Sequence, residues 1–233
     1  MTTQTPRSSE PATVFIVDDE PAVRKSLARL VRAAGYEVQA FASAREFLDR
    51  SNRDALGCIV LDVTMPDFTG LELQGVLTAT RSILPIIFLT GHADVPKAVR
   101  ALKGGAADFL SKPVQKDELL DAIDRAIRTN RVARAGLSRR AHDAEALRLL
   151  TAREYEVFVH VVTGKPNKVI AADLGTCEQT VKVHRGRVMQ KLRVNSLAEL
   201  VRLADRTGIR SAGAWTPQGG EGSDPSAGHS PPV

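Results

Sequence analysis

The sequence predicts an α/β unit, a doubly wound parallel sheet of five strands, followed by a small all-α unit. Three observations carry this prediction. From residue 13 onward, short apolar runs alternate with amphipathic helical patterns, and after about residue 150 only helical periodicity remains. Strand and helix alternating in this way is the pattern of a parallel sheet covered on both faces. Charge also divides, with 15 Lys+Arg against 17 Asp+Glu in residues 1–125 and 17 against 10 in residues 126–233. A mildly acidic front and a basic back point to two domains with different partners. Nucleic acid is a candidate for the basic half, beside the plainer reading of a solvated surface.

TVFIV (13–17) reads as the first strand, and Pro21 opens a helix that aligns Val23, Leu27, Leu30, Val31 and Ala34. Gly35 ends that helix, and YEVQAF (36–41) is the second strand. A helix over about 44–51 leads to the strand GCIVL (57–61), and another helix follows Gly70. PIIFLT (85–90) is the fourth strand, a helix near 94–103 stops at Gly104-Gly105, and ADFL (107–110) is the fifth. The last helix of this unit covers about 115–130, with Leu119, Leu120, Ile123, Ala126 and Ile127 on one face.

Residues 131–146 are charged and alanine-rich with Gly136 inside, and read as a linker that is helical at most in part. Thr151 and Glu154 then form a capping box ahead of Val157, Phe158, Val161 and Val162. Asn167 is placed to cap a short helix that Gly175 closes, and a third helix covers about 178–191. Ser196 and Glu199 make a second capping box before Leu200, Val201 and Ala204. The expected division is a disordered 1–12, an α/β domain over 13–130, the linker, a helical domain over 147–210 and a disordered Gly/Pro/Ser-rich tail over 211–233.

The apolar runs are too short to cross a membrane, and the N-terminus has no apolar segment of a secretory signal. Two cysteines, Cys58 and Cys177, lie in different expected domains, so no disulfide framework or metal cluster follows. A reducing cytoplasm is the expected compartment.

Sites in open parallel sheets form at the carboxyl ends of strands, near the switch point in strand order. Strand one ends in Asp18-Asp19-Glu20, strand three in Asp62 and strand four in Thr90, while Lys112-Pro113 lies just past strand five. One Asp after a strand is most often a cap or turn residue. Four strand ends converging on carboxylates, a hydroxyl and an ammonium is a stronger pattern. Clustered carboxylates repel and invite a hard divalent cation such as Mg2+. A cation beside Asp62 would neutralise an incoming phosphoryl group and leave a carboxylate oxygen as the nucleophile, the chemistry of an aspartyl phosphate. Lys112 and Thr90 would pair with the phosphoryl oxygens, whereas Asp67 lies beyond the turn made by Pro66.

The stretches VDDEPAVR, VLDVTMPDFTG, LTGHADV and ADFLSKP stand in order over about 13–130 and resemble the receiver domain of two-component response regulators. The resemblance implies a flavodoxin-like sheet of strand order 2-1-3-4-5, with Asp62 as phosphoacceptor. Asp18, Asp19, Asp62 and the backbone carbonyl of Thr64 would hold Mg2+. Thr90 and Lys112 would bind the phosphoryl group, Phe109 takes the aromatic switch position, and the Lys112–Pro113 peptide is commonly cis in this family. Phosphatases of the haloacid-dehalogenase type carry Asp-x-Asp-x-Thr. Here Asp62 is followed by Val-Thr-Met-Pro, so the second acid of that motif is missing. A receiver without phosphorylation, or another α/β binding domain, stays as the alternative.

Three short, closely spaced helices are often a helix-turn-helix. On TVKVHRGRVMQKL (180–192), Val181, Val188 and Leu192 fall on one face, while Lys182, Val183, Gly186 and Arg187 lie away from it. A glycine inside a helix costs about 1 kcal/mol, and close approach of DNA would explain one. Val183 suits a thymine methyl and Lys182 a guanine or phosphate. LTAREYEVF, GKPNKVIAADLG, TVKVHRGRVMQKL and SLAELVRLA resemble the LuxR-type helix-turn-helix of NarL/FixJ response regulators, closest to the FixJ-like subgroup. By that resemblance Lys182, Val183 and Gly186 face bases, and Thr180, Lys168, Arg185 and Lys191 contact phosphates. Three residues depart from the pattern: Tyr155 for a polar residue, Ala152 for a frequent proline, and Cys177 for a capping Ser. Thr176 or Glu178 would then take over the cap, and Cys177 reads either as a thiol sensor or as a small core residue.

The whole implies a transcriptional response regulator. A sensor histidine kinase phosphorylates Asp62, Thr90 and Phe109 move, and the surface of about 92–112 changes so that a homodimer forms on promoter DNA, with RNA polymerase as a further contact. Two other classes remain: a regulator working without phosphorylation, and an adaptor with a vestigial helix-turn-helix.

Overall fold

The computed structural model describes residues 11–51, 54–66, 68–91 and 95–209. The ends expected to be disordered, apart from residues 11 and 12, and the loop position Asp67 lie outside the described residues. The chain forms two compact units that divide between Ser138 and Arg139.

The first unit is a five-stranded parallel sheet of order β2-β1-β3-β4-β5, built from β1 (Thr13–Val17), β2 (Glu37–Phe41), β3 (Gly57–Asp62), β4 (Ile86–Thr90) and β5 (Asp108–Ser111). Helices α1 (Pro21–Ala33), α2 (Ala44–Arg50), α3 (Gly70–Ala79), α4 (Val95–Lys103) and α5 (Lys116–Arg148) connect and follow the strands. β1, β3 and β4 are buried at every position, as strands covered on both faces must be. Successive side chains go to opposite faces. Ile16, Val60 and Leu89 pack with Leu27, Val31 and Ile123, while Phe15, Ile59, Leu61 and Phe88 pack with Phe47, Leu73 and Ala101. The register aligns Val17 with Leu61 and Asp62 with Leu89, which brings the acidic strand ends level.

The strands follow the sequence pattern, with β3 extended by one residue so that Asp62 is its last member. The stretch read as a linker is helical: α5 continues for 33 residues to Arg148. Alanine, arginine and leucine favour helix, and the cost of Gly136 is about 1 kcal/mol, which that run absorbs. Wholly buried Asn130 anchors the middle of α5. It accepts from the Gly57 N–H (3.1 Å) and donates to the Ile83 carbonyl (2.7 Å).

The second unit contains α6 (Ala152–Val162), α7 (Asn167–Asp173), α8 (Glu178–Lys191) and α9 (Leu197–Arg206). Its core joins Val157, Phe158, Ile170, Val181, Val188, Leu200 and Leu203, so the apolar stripe of α8 faces inward as its periodicity requires. The Thr151–Glu154 capping box forms with both reciprocal bonds. Two local expectations are corrected. Pro166, not Asn167, precedes the first turn of α7, because proline's fixed φ suits that position and frees the Asn167 side chain for another bond. At α9, Ser196 Oγ accepts from the Glu199 N–H, but Glu199 returns its bond to the N–H of Asn195, one residue before the cap. Among the described residues no helix is long and apolar enough to cross a membrane.

Candidate functional site

The carboxyl ends of β1, β3 and β5 meet at one place. Lys112 Nζ donates to Asp18 Oδ2 (2.8 Å) and to Asp62 Oδ2 (3.0 Å), and lies 3.7 Å from Glu20 Oε1. Asp18 and Asp62 are buried, and one carboxylate oxygen from each of Asp18, Glu20 and Asp62 lies within 4.8 Å of the others. Asp19 is not in that group. The Thr64 N–H donates to Asp62 Oδ1 at 3.3 Å. Thr90 is buried at the end of β4, and its carbonyl accepts from the Lys112 N–H at 2.6 Å. Phe109 is half-buried beside Phe88, their ring centroids 6.2 Å apart. The Lys112–Pro113 peptide is cis.

The loop after Asp62 folds back against the main chain at the end of β3. Gly70 donates its N–H to the Val63 carbonyl, and a Cβ at Gly70 would meet the Asp62 carbonyl oxygen at 2.3 Å. Only glycine fits there. Thr69 then caps α3 in a full capping box with Glu72.

Burial is the main influence on Asp62 and raises its pKa above 3.8; the charge of Asp18 adds to this, and the Lys112 and Thr64 hydrogen bonds only partly offset it. Burial pulls Lys112 down, but its bonds to Asp18 and Asp62 outweigh that and the ammonium is held above its ordinary range. The arrangement is a crowded, poorly hydrated carboxylate with a cation on one oxygen. Oxygen donors of this kind fit a hard divalent cation.

In the second unit Lys182, Val183, Gly186 and Arg187 are exposed along α8, and a Cβ at Gly186 would meet no atom within 4 Å. The gap in side chains therefore opens outward, not onto a neighbouring helix. Lys168 is exposed on α7. Arg185 donates to Asn167 Oδ1 (3.1 Å), the bond for which Asn167 was freed. Lys191, assigned by resemblance to a phosphate, is directed elsewhere: its ammonium donates to Glu154 Oε2 (2.6 Å) and to the Leu149 carbonyl (3.0 Å). A lysine near a helix C-terminus reads as free in sequence; only the fold shows buried Glu154 beneath it. Cys177 precedes α8 with no side-chain cap bond. It is exposed, so the core reading fails, and its Sγ lies 3.2 Å from Thr180 Oγ1, the main cause of a lowered thiol pKa.

Three residues hold places in these arrangements that the sequence reading did not assign to them. Glu20 belongs to the Asp18-Asp19-Glu20 run that ends strand one, yet the resemblance assigns the cation to Asp18 and Asp19. Glu154 was seen only as a cap. Arg24, the last residue of the VDDEPAVR stretch, was given no role, and its Nη1 donates to the carbonyls of Asp18 (2.6 Å) and Asp19 (3.2 Å).

Comparison with known proteins agrees with this division. Residues 14–124 match the response regulator receiver domain, and residues 148–204 match the bacterial regulatory proteins of the luxR family. Nodulation protein W of Bradyrhizobium diazoefficiens is 46% identical over 202 residues, covering 87% of this chain and 89% of its own length. The transcriptional regulatory protein FixJ of the same organism is 41% identical over 196 residues, 84% of this chain and 96% of that one. The solved structure of the response regulator StyR superposes with a TM-score of 0.75 at 44% identity, covering 84% of this chain and 99% of that one. An acidic sheet edge in a receiver and a basic helix in a LuxR-type domain, on a chain aligned nearly end to end with such relatives, have one consequence: this chain belongs to the NarL/FixJ-type transcriptional response regulators of two-component systems.

Proposed function

We propose that Asp62 is the phosphoacceptor through which a sensor histidine kinase controls promoter binding by this chain. The observation that carries this reading is the Lys112 ammonium bridging buried Asp18 and Asp62 at 2.8 and 3.0 Å. An oxygen of Asp62 supplies the electron pair for the new O–P bond. The P–N bond of the donor phosphohistidine breaks, and its electron pair leaves with the imidazole. Asp18, Asp19, Asp62 and the Thr64 carbonyl would hold Mg2+, with Glu20 close by; Mg2+ there supplies charge neutralisation between carboxylate and phosphoryl oxygens. Lys112 follows the transferred charge and pairs with a phosphoryl oxygen, and the Thr90 hydroxyl donates to another. Phe109 turns inward as Thr90 moves, which alters the face of α4 and β5 where a second copy docks. The chain has no further catalytic activity beyond its own phosphorylation, including from small phosphodonors, and dephosphorylation.

The domain bounds follow the same reading, with the receiver over 13–130, the helix-turn-helix over 147–210 and a cytoplasmic location. On DNA, Lys182, Val183 and Gly186 face base edges while Thr180, Lys168 and Arg185 approach phosphates. RNA polymerase is the further partner. Asp62→Asn is expected to abolish labelling by acetyl phosphate and Mg2+; undiminished labelling would place the phosphate elsewhere. Lys182→Ala is expected to weaken specific DNA binding by about 1–3 kcal/mol, and unchanged affinity would return α8 to a merely solvated surface.

A further inference from the structure

The turn that carries the acidic residues is tied at three points. The Asp18 N–H pairs with the Phe41 carbonyl of β2, and the Glu20 N–H donates to Asp18 Oδ1 at 2.9 Å. The third tie is Arg24, half-buried in the first turn of α1. Its Nη1 donates to the carbonyls of both Asp18 (2.6 Å) and Asp19 (3.2 Å). These two carbonyls lie past the last residue of β1, where no strand ladder is available to them. A guanidinium is the group best suited to hold two neighbouring oxygens from one side, being planar and permanently charged.

We infer that Arg24 is a positioning residue for the cation site: by pinning the main chain of Asp18 and Asp19 it holds the carboxylates of the β1–α1 turn ready for Mg2+. The inference rests on the metal reading above. The backbone of the turn is fixed from the α1 side, while Asp18 Oδ2 looks toward Lys112 and Asp62 on the other. Four bonds thus set the turn before any ion arrives: two from Arg24, one through Asp18 Oδ1 and one from β2. A preset turn spares the ion the entropy of ordering three consecutive residues, which is how groups behind metal ligands set affinity. Arg24 also brings a positive charge close to an acidic cluster, and that alone would oppose a cation. The two effects have opposite signs, so a single measurement separates them. If positioning dominates, removing Arg24 weakens Mg2+ binding. If charge dominates, removing it tightens binding.

The test is calorimetric titration of the full chain with MgCl2, comparing wild type with Arg24→Ala and Arg24→Lys, each first checked by circular dichroism and thermal melting. Arg24→Ala is expected to raise the Mg2+ dissociation constant about 10-fold, and Arg24→Lys, which keeps charge and donors, to recover part of that. If Arg24→Ala does not fold at the assay temperature, Arg24→Gln carries the test, since its amide N–H can still reach one carbonyl; a several-fold rise is expected there too. Wild-type binding of Mg2+ with unchanged or tighter binding in the folded variants overturns the role of Arg24 alone. A wild-type chain that takes up no Mg2+ overturns the metal reading itself, and this inference with it.

Discussion

Two lysines, one in each unit, hold buried carboxylates at hydrogen-bond distance, and the carboxylates respond in opposite directions. Lys112 meets Asp62 at 3.0 Å, and Asp62 is raised above its ordinary 3.8. Lys191 meets Glu154 at 2.6 Å, and Glu154 is lowered from 4.5 to about 2. The difference lies in what else each carboxylate faces. Asp62 is desolvated at the end of a central strand beside a second buried acid, so burial and repulsion outweigh its lysine. Glu154 stands in the first turn of α6, where the Thr151 N–H also donates to it and the helix dipole favours negative charge. The same bond therefore accompanies a carboxylate held above its ordinary range in one unit and one held below it in the other. Lys112 itself bridges two acids and is 15% exposed, whereas Lys191 serves one and is 35% exposed.

The largest expected effect comes from removing each lysine. Lys112→Met leaves Asp18 and Asp62 facing each other and should cost the receiver about 3 kcal/mol, much of it regained on adding Mg2+, because a cation then replaces the ammonium. Lys191→Met should cost the helical unit about 2 kcal/mol, less because of its exposure, with no response to Mg2+. Native-state hydrogen exchange on the full chain reads the two units separately. A Lys112→Met chain indifferent to Mg2+ would break the contrast.

Mild acid gives a smaller effect with opposite signs. Glu154 has a depressed folded pKa, so its contribution to stability is complete above 4.5 and is lost as pH falls toward about 2. Asp62 has a raised folded pKa, so its ionised form burdens the receiver at neutral pH. That burden lifts as pH falls through the raised value to 3.8. Stability differences between wild type and Glu154→Gln should shrink on acidification, and so should those between wild type and Asp62→Asn, but the first begins as an advantage of the wild type and the second as a disadvantage. Equal signs at pH 7 would mean that the lysine alone governs both sites.

The smallest effect is at the start of α8. Cys177→Ser supplies the missing cap acceptor and should stabilise the helical unit by about 0.5–1 kcal/mol, read as a rise in the denaturant midpoint. No gain would show that the Thr180 contact already does the work of a cap.

Much of this molecule is legible in the order of its residues. Strand and helix alternation from Thr13 to Ile127 places five strands with bounds correct to a residue or two, because each pattern is local and repeats with a fixed period. Glycine and capping residues mark where elements stop. The length of α5 was not legible, because charge and a single glycine look alike in a solvated helix and in a loop, and the helix expected to end near residue 130 runs on to Arg148. The acidic strand ends, Glu20 among them, were legible as a list, but which of their oxygens come within reach of one another was not.

By itself, then, the sequence determined which groups arrive at each edge: carboxylates, a hydroxyl and an ammonium at the ends of the strands, and a basic stripe on the last long helix before Leu192. Those choices are set by period and spacing, which act over a few residues. Tertiary structure alone decided which of the charges are free to act. Whether Lys112 bridges two acids, whether Lys191 is spent on Glu154, and whether Arg24 grips the turn beneath Asp18 depend on atoms brought together from distant parts of the chain. At such short range, burial and one or two hydrogen bonds decide whether a carboxylate is held above or below its ordinary range.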